Sequence, residues 1–248
     1  MSGGVHRVAL TPGYLLHHRP WRDTSRILEV LTREHGRLTL FARAVRGPAA
    51  RLAPVLQPFW PLLISWSGRG EAPQLTHAER ADDSGALPPA SVMAAFYLNE
   101  LLLKLTTRHD PQPALFDQYH ATLGRLRSGG PLEPALRVFE KRLLELTGFG
   151  LELETEAAGG VPLAAEGYYR FRPSQGLVAA HAHEAGALAG ASLIGLREER
   201  LSGARALEDA RRLLHAALAA CLEGRPLATR AVARSMVRKA AMRKAAQS

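Results

Sequence analysis

The sequence predicts an α+β protein, in which a small antiparallel β-barrel is followed by a mostly helical region with a short irregular β insert. In residues 5–80, short apolar runs are separated by turn signals, and about five strands in this length fit a closed barrel of the OB or SH3-like kind. From residue 91 onwards, apolar residues recur at helical spacing. Residues 81–90, ADDSGALPPA, form the expected linker, so the predicted domains are 1–80 and 91–248.

The barrel region carries the clearest β pattern of the chain. The expected strands cover residues 8–10, 14–18, 27–33, 38–45, the stretch PFWPLLISWS at 58–67, whose start Pro58 and Pro61 bracket, and 74–79. Side chains alternate faces along a strand. One face of the fourth strand should therefore hold Leu38, Leu40, Ala42 and Ala44, and the opposite face should hold Arg37, Thr39, Phe41 and Arg43.

Helices are expected over residues 91–107, 114–126, 132–147, 204–222 and 227–246. Ser91 is the expected N-cap of the first helix, and Gly148 stands where a C-cap glycine belongs after the third. The side chains of the third helix that should face inwards are those of Leu136, Phe139, Leu143 and Leu146. Residues 151–183 lose the helical period, and Tyr168–Arg172 is the best strand candidate in this insert.

Composition limits the class of protein. Hydrophobic residues make up 46% of the 248 residues, which is ample for a folded core. The apolar runs are too short to span a bilayer, and the first residues, MSGGVHRVAL, lack the apolar core of a signal peptide. The single cysteine, Cys221, excludes an internal disulfide and a thiolate zinc cluster. We therefore expect a soluble, cytosolic protein.

The net charge of +9 is concentrated at the two ends of the chain. Residues 1–80 contain eleven arginines and five acidic residues, and residues 224–248 contain seven cations and no acidic residue. Residues 81–223 carry four more anions than cations. Basic ends around an acidic middle favour a polyanionic partner that is bound by the ends.

Arginines interleaved with an aromatic residue on one strand face suit nucleic acid, because guanidinium groups bind phosphates and the ring can stack on a base. The candidate DNA-binding residues are Arg33, Arg37, Arg43, Arg46, Arg51, Arg69 and Phe41, together with Arg230, Arg234 and Arg238 on one stripe of the expected C-terminal helix. An ordinary solvated surface is the alternative for the barrel arginines, and a core position is the alternative for Phe41. A frayed tail and a membrane-surface helix are the alternatives for the C-terminal stripe.

The sequence offers little support for catalysis. It contains no GxxxxGK[ST] phosphate-binding loop and no GxSxG nucleophile motif. His181 and His183 have the spacing of metal ligands on one strand, but zinc needs a complete tetrahedral set. We expect neither an enzyme nor a cofactor or metal site.

Six stretches, in order along the chain, resemble the RecO family of bacterial recombination mediators. They are YLLHHRPWRDT at 14–24, TREHGRLTLF at 32–41, LQPFWPLLISWSGRG at 56–70, YLNELLL at 97–103, EPALRVFEKRLLELTGFG at 133–150 and GRPLATR at 224–230. The resemblance implies an N-terminal OB-fold and a C-terminal α-helical domain. It implies binding to single- and double-stranded DNA, annealing of complementary strands without ATP, and a cytoplasmic protein that joins the nucleoid during repair.

The resemblance also implies partners. These are RecR, the acidic C-terminal tail of single-stranded DNA-binding protein (SSB) and, through both, RecA during its loading. In the family the tail docks on the helical domain beside an arginine, and the EPALR stretch places the matching residue at Arg137, with Lys141 and Arg142 as neighbours that could assist. The alternative is an architectural or RNA-binding OB-fold protein, which would bind nucleic acid and ignore the SSB tail.

Two features depart from the family pattern. Many relatives hold the segment after the GFG-like turn with a four-cysteine zinc site, whereas residues 151–183 contain no cysteine, so the chain should resemble the metal-free branch. The usual AKGAR stretch is ARAVR at residues 42–46, with Arg43 for lysine and Ala44 for glycine. The positive charge is kept, but a backbone approach that needs glycine would be lost.

Overall fold

The structure is a computed structural model that describes residues 6–43, 45, 52–232 and 235. The chain forms two compact units, and we describe each by itself. The barrel unit contains the described residues up to Gly129, and the helical unit comprises Gly130–Val232. The expected α+β class is confirmed, because a five-stranded sheet is followed by a helical region with a small separate sheet.

The barrel unit is built on five strands, which are β1 His6–Trp21, β2 Ser25–Thr32, β3 Gly36–Ala42, β4 Leu62–Gly68 and β5 Gln74–Arg80. They close in the order β1-β2-β3-β5-β4, and β4 pairs with β1. β3 and β5 pair in parallel, and the other neighbours are antiparallel. This is the Greek-key strand order of an OB-fold, so the choice between an OB and an SH3-like barrel falls on the OB-fold.

The alternation expected for β3 is confirmed. Leu38, Leu40 and Ala42 are buried in the barrel core, whereas Arg37, Thr39 and Phe41 are only partly buried. Ala44 lies outside the described residues. The core is completed by apolar side chains from all five strands and from the segment between β3 and β4. These include Leu15, Leu28, Val30, Leu56, Leu62, Ile64, Trp66, Leu75 and Ala78.

The first two expected strands, 8–10 and 14–18, form one continuous strand. Thr11, Pro12 and Gly13 pair regularly with β4, and a bulge precedes them, where the register to β4 shifts between Val8 and Thr11. Leu10 takes a positive φ of 47° there, and its amide donates to Ser65 Oγ at 3.0 Å. The bulge bends β1 so that its first half pairs with β4 and its second half with β2.

Two helices, α1 Pro89–Leu105 and α2 Pro113–Arg127, belong to the barrel unit. Asn99 on α1 donates through Nδ2 to the Leu16 carbonyl at 2.8 Å, and the Tyr14 ring packs edge-on against Tyr119 of α2 at 5.0 Å. The compact units therefore divide after α2. The domain boundary expected at residues 81–90 stays a prediction.

The expected N-cap at Ser91 is wrong. The helix begins at Pro89, where the fixed φ of proline suits the first helical position and its missing N–H costs nothing. Ser91 is buried inside the first turn, and its hydroxyl donates to the Leu126 carbonyl at 3.1 Å, which joins α1 to α2.

The helical unit contains α3 Leu132–Leu146, then β6 Tyr168–Arg172, β7 Gly176–Ala180 and β8 Leu188–Ala189, then α4 Gly190–Arg197 and α5 Gly203–Cys221. The strands form a small sheet in the order β7-β6-β8. Asp209 of α5 is fully buried and accepts hydrogen bonds from the Ala189 amide at 3.1 Å and from Ser192 Oγ at 2.9 Å. This carboxylate thus joins the sheet, α4 and α5.

The end of α3 confirms one expectation and corrects another. Gly148 has a φ of +83° directly after the helix, as a C-cap glycine should. Leu146, expected to face inwards, is 37% exposed, and Leu144 is buried in its place. Residues 228–232 are helical, and the rest of the helix expected to reach residue 246 lies almost wholly outside the described residues. Within the described part of the chain, no helix is long and apolar enough to cross a membrane.

Candidate nucleic-acid interface

Two of the residues that sequence patterning selected, Arg37 and Phe41, lie on the outer face of β2 and β3. Arg19, Ile27 and Phe41 form one row across β1, β2 and β3, because Arg19 pairs with Ile27 and Ile27 pairs with Phe41. A cavity of about 360 Å³ opens on this face, and we call it the face cleft. Residues that line the face cleft include Arg19, Ile27, Glu29, Thr39, Arg108 and His109. In OB-folds this face and the adjoining loops bind oligonucleotides.

Arg37 is turned into the fold. Its side chain is 11% exposed and pairs with Glu29 at 2.9 Å. The guanidinium also donates to the Thr106 carbonyl at 2.7 Å and to Thr106 Oγ1 at 3.1 Å, so it joins β3 to the end of α1. A role of Arg37 in DNA contact stays a prediction, and this geometry does not favour it.

Glu29, which lines the face cleft, forms ion pairs with two arginines. Besides Arg37, its carboxylate accepts hydrogen bonds from Arg108 Nη2 at 2.6 Å and from Thr39 Oγ1 at 2.8 Å. Burial opposes the charged form, but these hydrogen bonds and the two guanidinium charges outweigh it, so the pKa of Glu29 lies below its ordinary value. Arg108 remains 53% exposed and belongs to the cleft, although sequence patterning did not select it. It follows α1, far along the chain, and only the fold brings it to β2.

Arg33 is exposed, but acidic groups hold it. Its Nε and Nη2 donate to the two carboxylate oxygens of Asp117, both at 2.9 Å, and Nη1 donates to Glu34 at 2.8 Å. These hydrogen bonds raise the pKa of Arg33 above its ordinary value and fix the turn after β2 to α2. Its contact with DNA also stays a prediction.

Among the described arginines that were expected to bind DNA, Arg43 and Arg69 are exposed and have no acidic partner. The guanidinium of Arg43 lies over the Phe41 ring, 5.8 Å from the centroid, and Phe41 itself lies on the outer face and not in the barrel core. Arg69 is exposed in the loop between β4 and β5. Among the described residues, neither of these arginines nor Arg19 has an acidic partner. The remaining expected DNA contacts Arg46, Arg51, Arg234 and Arg238 lie outside the described residues.

A second cationic group lies in the helical unit around Arg137. This residue is 4% exposed, and its Nη2 donates to Glu140 at 2.8 Å. Its Nε and Nη1 are buried and have no hydrogen-bond partner among the described residues. A buried donor without an acceptor is costly, so an incoming carboxylate would satisfy groups that the fold leaves open.

The expected neighbours of Arg137 are already paired with carboxylates. Lys141 lies 3.0 Å from Glu145 and 3.2 Å from Glu199, and Arg142 contacts the same two residues. Lys141 is buried, whereas Arg142 is exposed, so Arg142 is the neighbour that solvent reaches.

The surroundings of Arg137 are electropositive. Burial lowers the pKa of His215 to about 3, and the charges of Arg230, Arg137 and Arg211 act in the same direction. His215 is therefore neutral at physiological pH. Arg230, the described member of the expected C-terminal stripe, is half-buried and adds to this charge. Contact of Arg230 with DNA stays a prediction.

His181 and His183 stack on one another, with ring centroids 5.6 Å apart. Among the described residues, no group of three or more His, Cys, Asp or Glu side chains is placed to hold a metal ion.

Comparison with known proteins identifies the family. The family model described as "Recombination protein O N terminal" matches residues 7–82, and "Recombination protein O C terminal" matches residues 89–231. The DNA repair protein RecO of Methylococcus capsulatus is 44% identical over 233 residues, which cover 94% of this chain and 96% of that protein. The RecO of Alkalilimnicola ehrlichii is 42% identical, with 96% and 95% covered, and that of Ralstonia nicotianae is 38% identical, with 92% and 84% covered. The chain therefore belongs to the RecO family of DNA repair and recombination proteins.

Proposed function

We propose that the chain is a DNA-binding recombination mediator that anneals complementary single strands without ATP and helps to load RecA on SSB-coated DNA. The observation that carries this proposal is the placement of Arg43 and Arg69 on an OB-type barrel. Both are exposed, without an acidic partner among the described residues, and Arg43 lies beside the aromatic ring on the face that OB-folds use for oligonucleotides.

Annealing needs no covalent step. Two polyanionic strands repel one another, and a cationic surface lowers this repulsion while the bases stay accessible. Binding must be weak enough for the strands to pair and leave. Glu29 helps here, because it neutralises Arg37 and part of the charge of Arg108 within the face cleft. The mediator thus acts as a binding surface and not as an enzyme.

We assign the DNA contacts first to Arg43 and Arg69, with Phe41 as a surface for a base. Arg46 and Arg51 follow Arg43 in the chain, and Arg234 and Arg238 follow Arg230, so each group extends a basic segment. Arg33 supports the interface by fixing the turn after β2, and Arg37 does so by fixing β3, because their donors are used within the fold.

We assign the acidic tail of SSB to the site around Arg137. A carboxylate would satisfy the buried Nε and Nη1 of this residue, and the charges near His215 attract an acidic peptide. Arg142 is the exposed neighbour that would meet a second carboxylate. Docking on the tail raises the local concentration of the mediator on coated strands. RecR is a further partner, and RecA is reached through RecR and the SSB tail together. We place this assembly in the cytoplasm, at the nucleoid during repair.

The two sites predict two separable losses. Arg43→Ala with Arg69→Ala should weaken binding to labelled single-stranded DNA about tenfold and leave binding of an SSB-tail peptide unchanged. Arg142→Ala should weaken binding of the peptide and leave the affinity for DNA unchanged. Arg137→Ala should have the same effect, provided that thermal melting shows that the variant folds. Fluorescence anisotropy measures both affinities.

Unchanged DNA affinity in the double variant would refute the barrel assignment. Loss of DNA binding in Arg142→Ala would mean that the two sites are one surface. A protein that binds RNA and DNA alike and ignores the tail peptide would be an architectural OB-fold protein instead.

A further inference from the structure

A second cavity, of about 460 Å³, opens at the end of the barrel where β3 begins and β4 ends. We call it the barrel-end pocket. Its apolar walls include Leu38, Trp66 and Pro73, and its polar lining includes His35, Arg69 and His109. Leu38 and Trp66 belong to the barrel core, so the pocket reaches from the surface to core side chains.

The pocket has an aromatic wall of fixed geometry. The rings of His35 and Trp66 meet edge to face, with centroids 5.1 Å apart and planes at 83°. Trp66 is 4% exposed, so its ring is held by the core and does not need to be ordered when a ligand enters. His35 is the less buried of the two rings and is the one that a flat, aromatic ligand can meet, whereas Trp66 supports it from the core.

The rim of the pocket carries charge on an open loop. Arg69 is exposed between Gly68 and Gly70, and both glycines have a positive φ. A Cβ at Gly70 would meet nothing within 4 Å, so the loop leaves open space beside Arg69. Among the described residues Arg69 has no acidic partner, and its guanidinium is available for an anion next to the apolar pocket.

His109 connects this pocket to the proposed DNA face. It lines both the barrel-end pocket and the face cleft. Its backbone is fixed, because the His109 amide donates to the Arg37 carbonyl at 2.9 Å. The two openings therefore adjoin at His109.

We propose that the barrel-end pocket binds one unpaired nucleobase of a single strand, with the adjacent phosphate on Arg69. This inference rests on the proposed single-strand binding and deepens it. The pocket joins an aromatic wall, an exposed cation and a position beside the face cleft, and a nucleotide matches all three features. An apolar side chain of a partner protein could pack against the aromatic wall, but it would not pair with Arg69 and would not account for the position of the pocket beside the face cleft.

The proposal predicts a preference for unpaired strands. A base inside a duplex cannot enter a pocket, because its faces are stacked and its edge is paired. Stacking one base on an aromatic wall should strengthen binding by about tenfold over the same backbone without bases. Phosphate contacts to the barrel face should be equal for the two backbones, and a base on Phe41 should be unaffected by a change inside the pocket.

The first measurement compares a short oligothymidine with an abasic strand of the same length. The unmodified protein should bind the oligothymidine about tenfold more tightly. His35→Ala should remove most of this preference and keep the abasic affinity. Arg7→Ala is the matched control, because Arg7 is an exposed cation of β1 that does not line the pocket. It should change both affinities by the same factor.

A second measurement reports on the pocket without altering its walls. Trp21→Phe with Trp60→Phe leaves Trp66 as the sole tryptophan of the chain. Oligothymidine should quench the Trp66 emission, and the abasic strand should not.

Equal affinity for the two strands together with unchanged Trp66 emission would overturn the proposal. Quenching by an acidic peptide and not by DNA would overturn it too, and would make the pocket a protein-docking site. Failure to bind either strand would instead refute the proposed function, so the two failures are distinguishable.

Discussion

Gly36 lies so close to Asp110 that a Cβ at residue 36 would overlap the Asp110 carbonyl oxygen. The contact belongs to a clamp between the β2–β3 turn and the segment after α1. In the same clamp the His109 amide donates to the Arg37 carbonyl at 2.9 Å, and Arg33 donates to Asp117 of α2 at 2.9 Å. The proposed DNA face is therefore held by the helices that follow the barrel.

Replacing Gly36 by alanine should loosen this clamp. Gly36 has a φ of +67°, which costs alanine about 1 kcal/mol, and the overlap with Asp110 should add about 2 kcal/mol because the clamp must shift. We expect the free energy of unfolding in urea to fall by about 3 kcal/mol.

Gly129 provides the control for that change. Its φ of +73° is similar, but a Cβ there would meet nothing within 4 Å. Gly129→Ala should therefore cost about 1 kcal/mol. Equal losses in the two variants would show that the Asp110 contact contributes nothing.

Arg37 and Arg43 should differ in what their removal changes. Arg37→Ala takes one cation from the partly buried Glu29 and breaks the link to Thr106, so we expect a loss of about 2–3 kcal/mol in the free energy of unfolding. Arg43→Ala should cost less than about 1 kcal/mol and should weaken DNA binding instead. If Arg37→Ala is as stable as the unmodified protein but binds DNA more weakly, Arg37 contacts DNA directly.

The slope of DNA affinity against salt concentration should report the number of phosphate contacts. Each cation–phosphate contact to single-stranded DNA contributes about 0.7 to the slope of log affinity against log salt. Arg69→Ala should therefore make the slope shallower by about 0.7, measured by anisotropy between low and moderate salt. Arg200→Ala, an exposed cation of the helical unit, should leave the slope unchanged. An unaltered slope in Arg69→Ala would remove this residue from the DNA contacts.

His215 should make the protein less stable in mild acid. Its folded pKa of about 3 lies below the ordinary value of 6.5. Above pH 6.5 the imidazole is neutral in both states and contributes nothing. Between about 6.5 and 3 the unfolded chain binds a proton that the folded chain does not, so stability falls as the pH is lowered.

Urea titrations at pH 7 and pH 5 test this effect. His215→Gln should lose less stability than the unmodified protein between the two values. The same loss in both would mean that His215 is not held neutral by its surroundings.

The barrel was predictable because its signals are local. Alternation in β3 placed Leu38, Leu40 and Arg37 on the correct faces, and Gly148 marked the end of α3. The separation of residues 8–10 and 14–18 into two strands was wrong, since β1 continues through both after a bulge at which Leu10 donates to Ser65. Ser65 is distant in sequence from Leu10, so no local pattern predicts this contact.

The candidate sites were less predictable because the sequence shows where a charged residue lies but not which groups it contacts. A period-two pattern places Arg37 on the outer face but cannot show that Thr106 occupies its donors. Hydrophobic periodicity likewise assigned Leu146 to the core of α3, whereas the buried stripe includes Arg137, Glu140 and Lys141. Such residues read as polar, and only packing reveals that they are buried.

The central claim is that the chain anneals DNA and is delivered to coated strands through the helical unit. The most direct measurement follows fluorescent complementary strands, coated with cognate SSB, as they anneal without ATP or metal. We predict that the protein accelerates annealing, and that the acceleration disappears when SSB lacks its acidic tail or when the protein carries Arg43→Ala with Arg69→Ala. No acceleration by a protein that still binds single-stranded DNA would contradict the account.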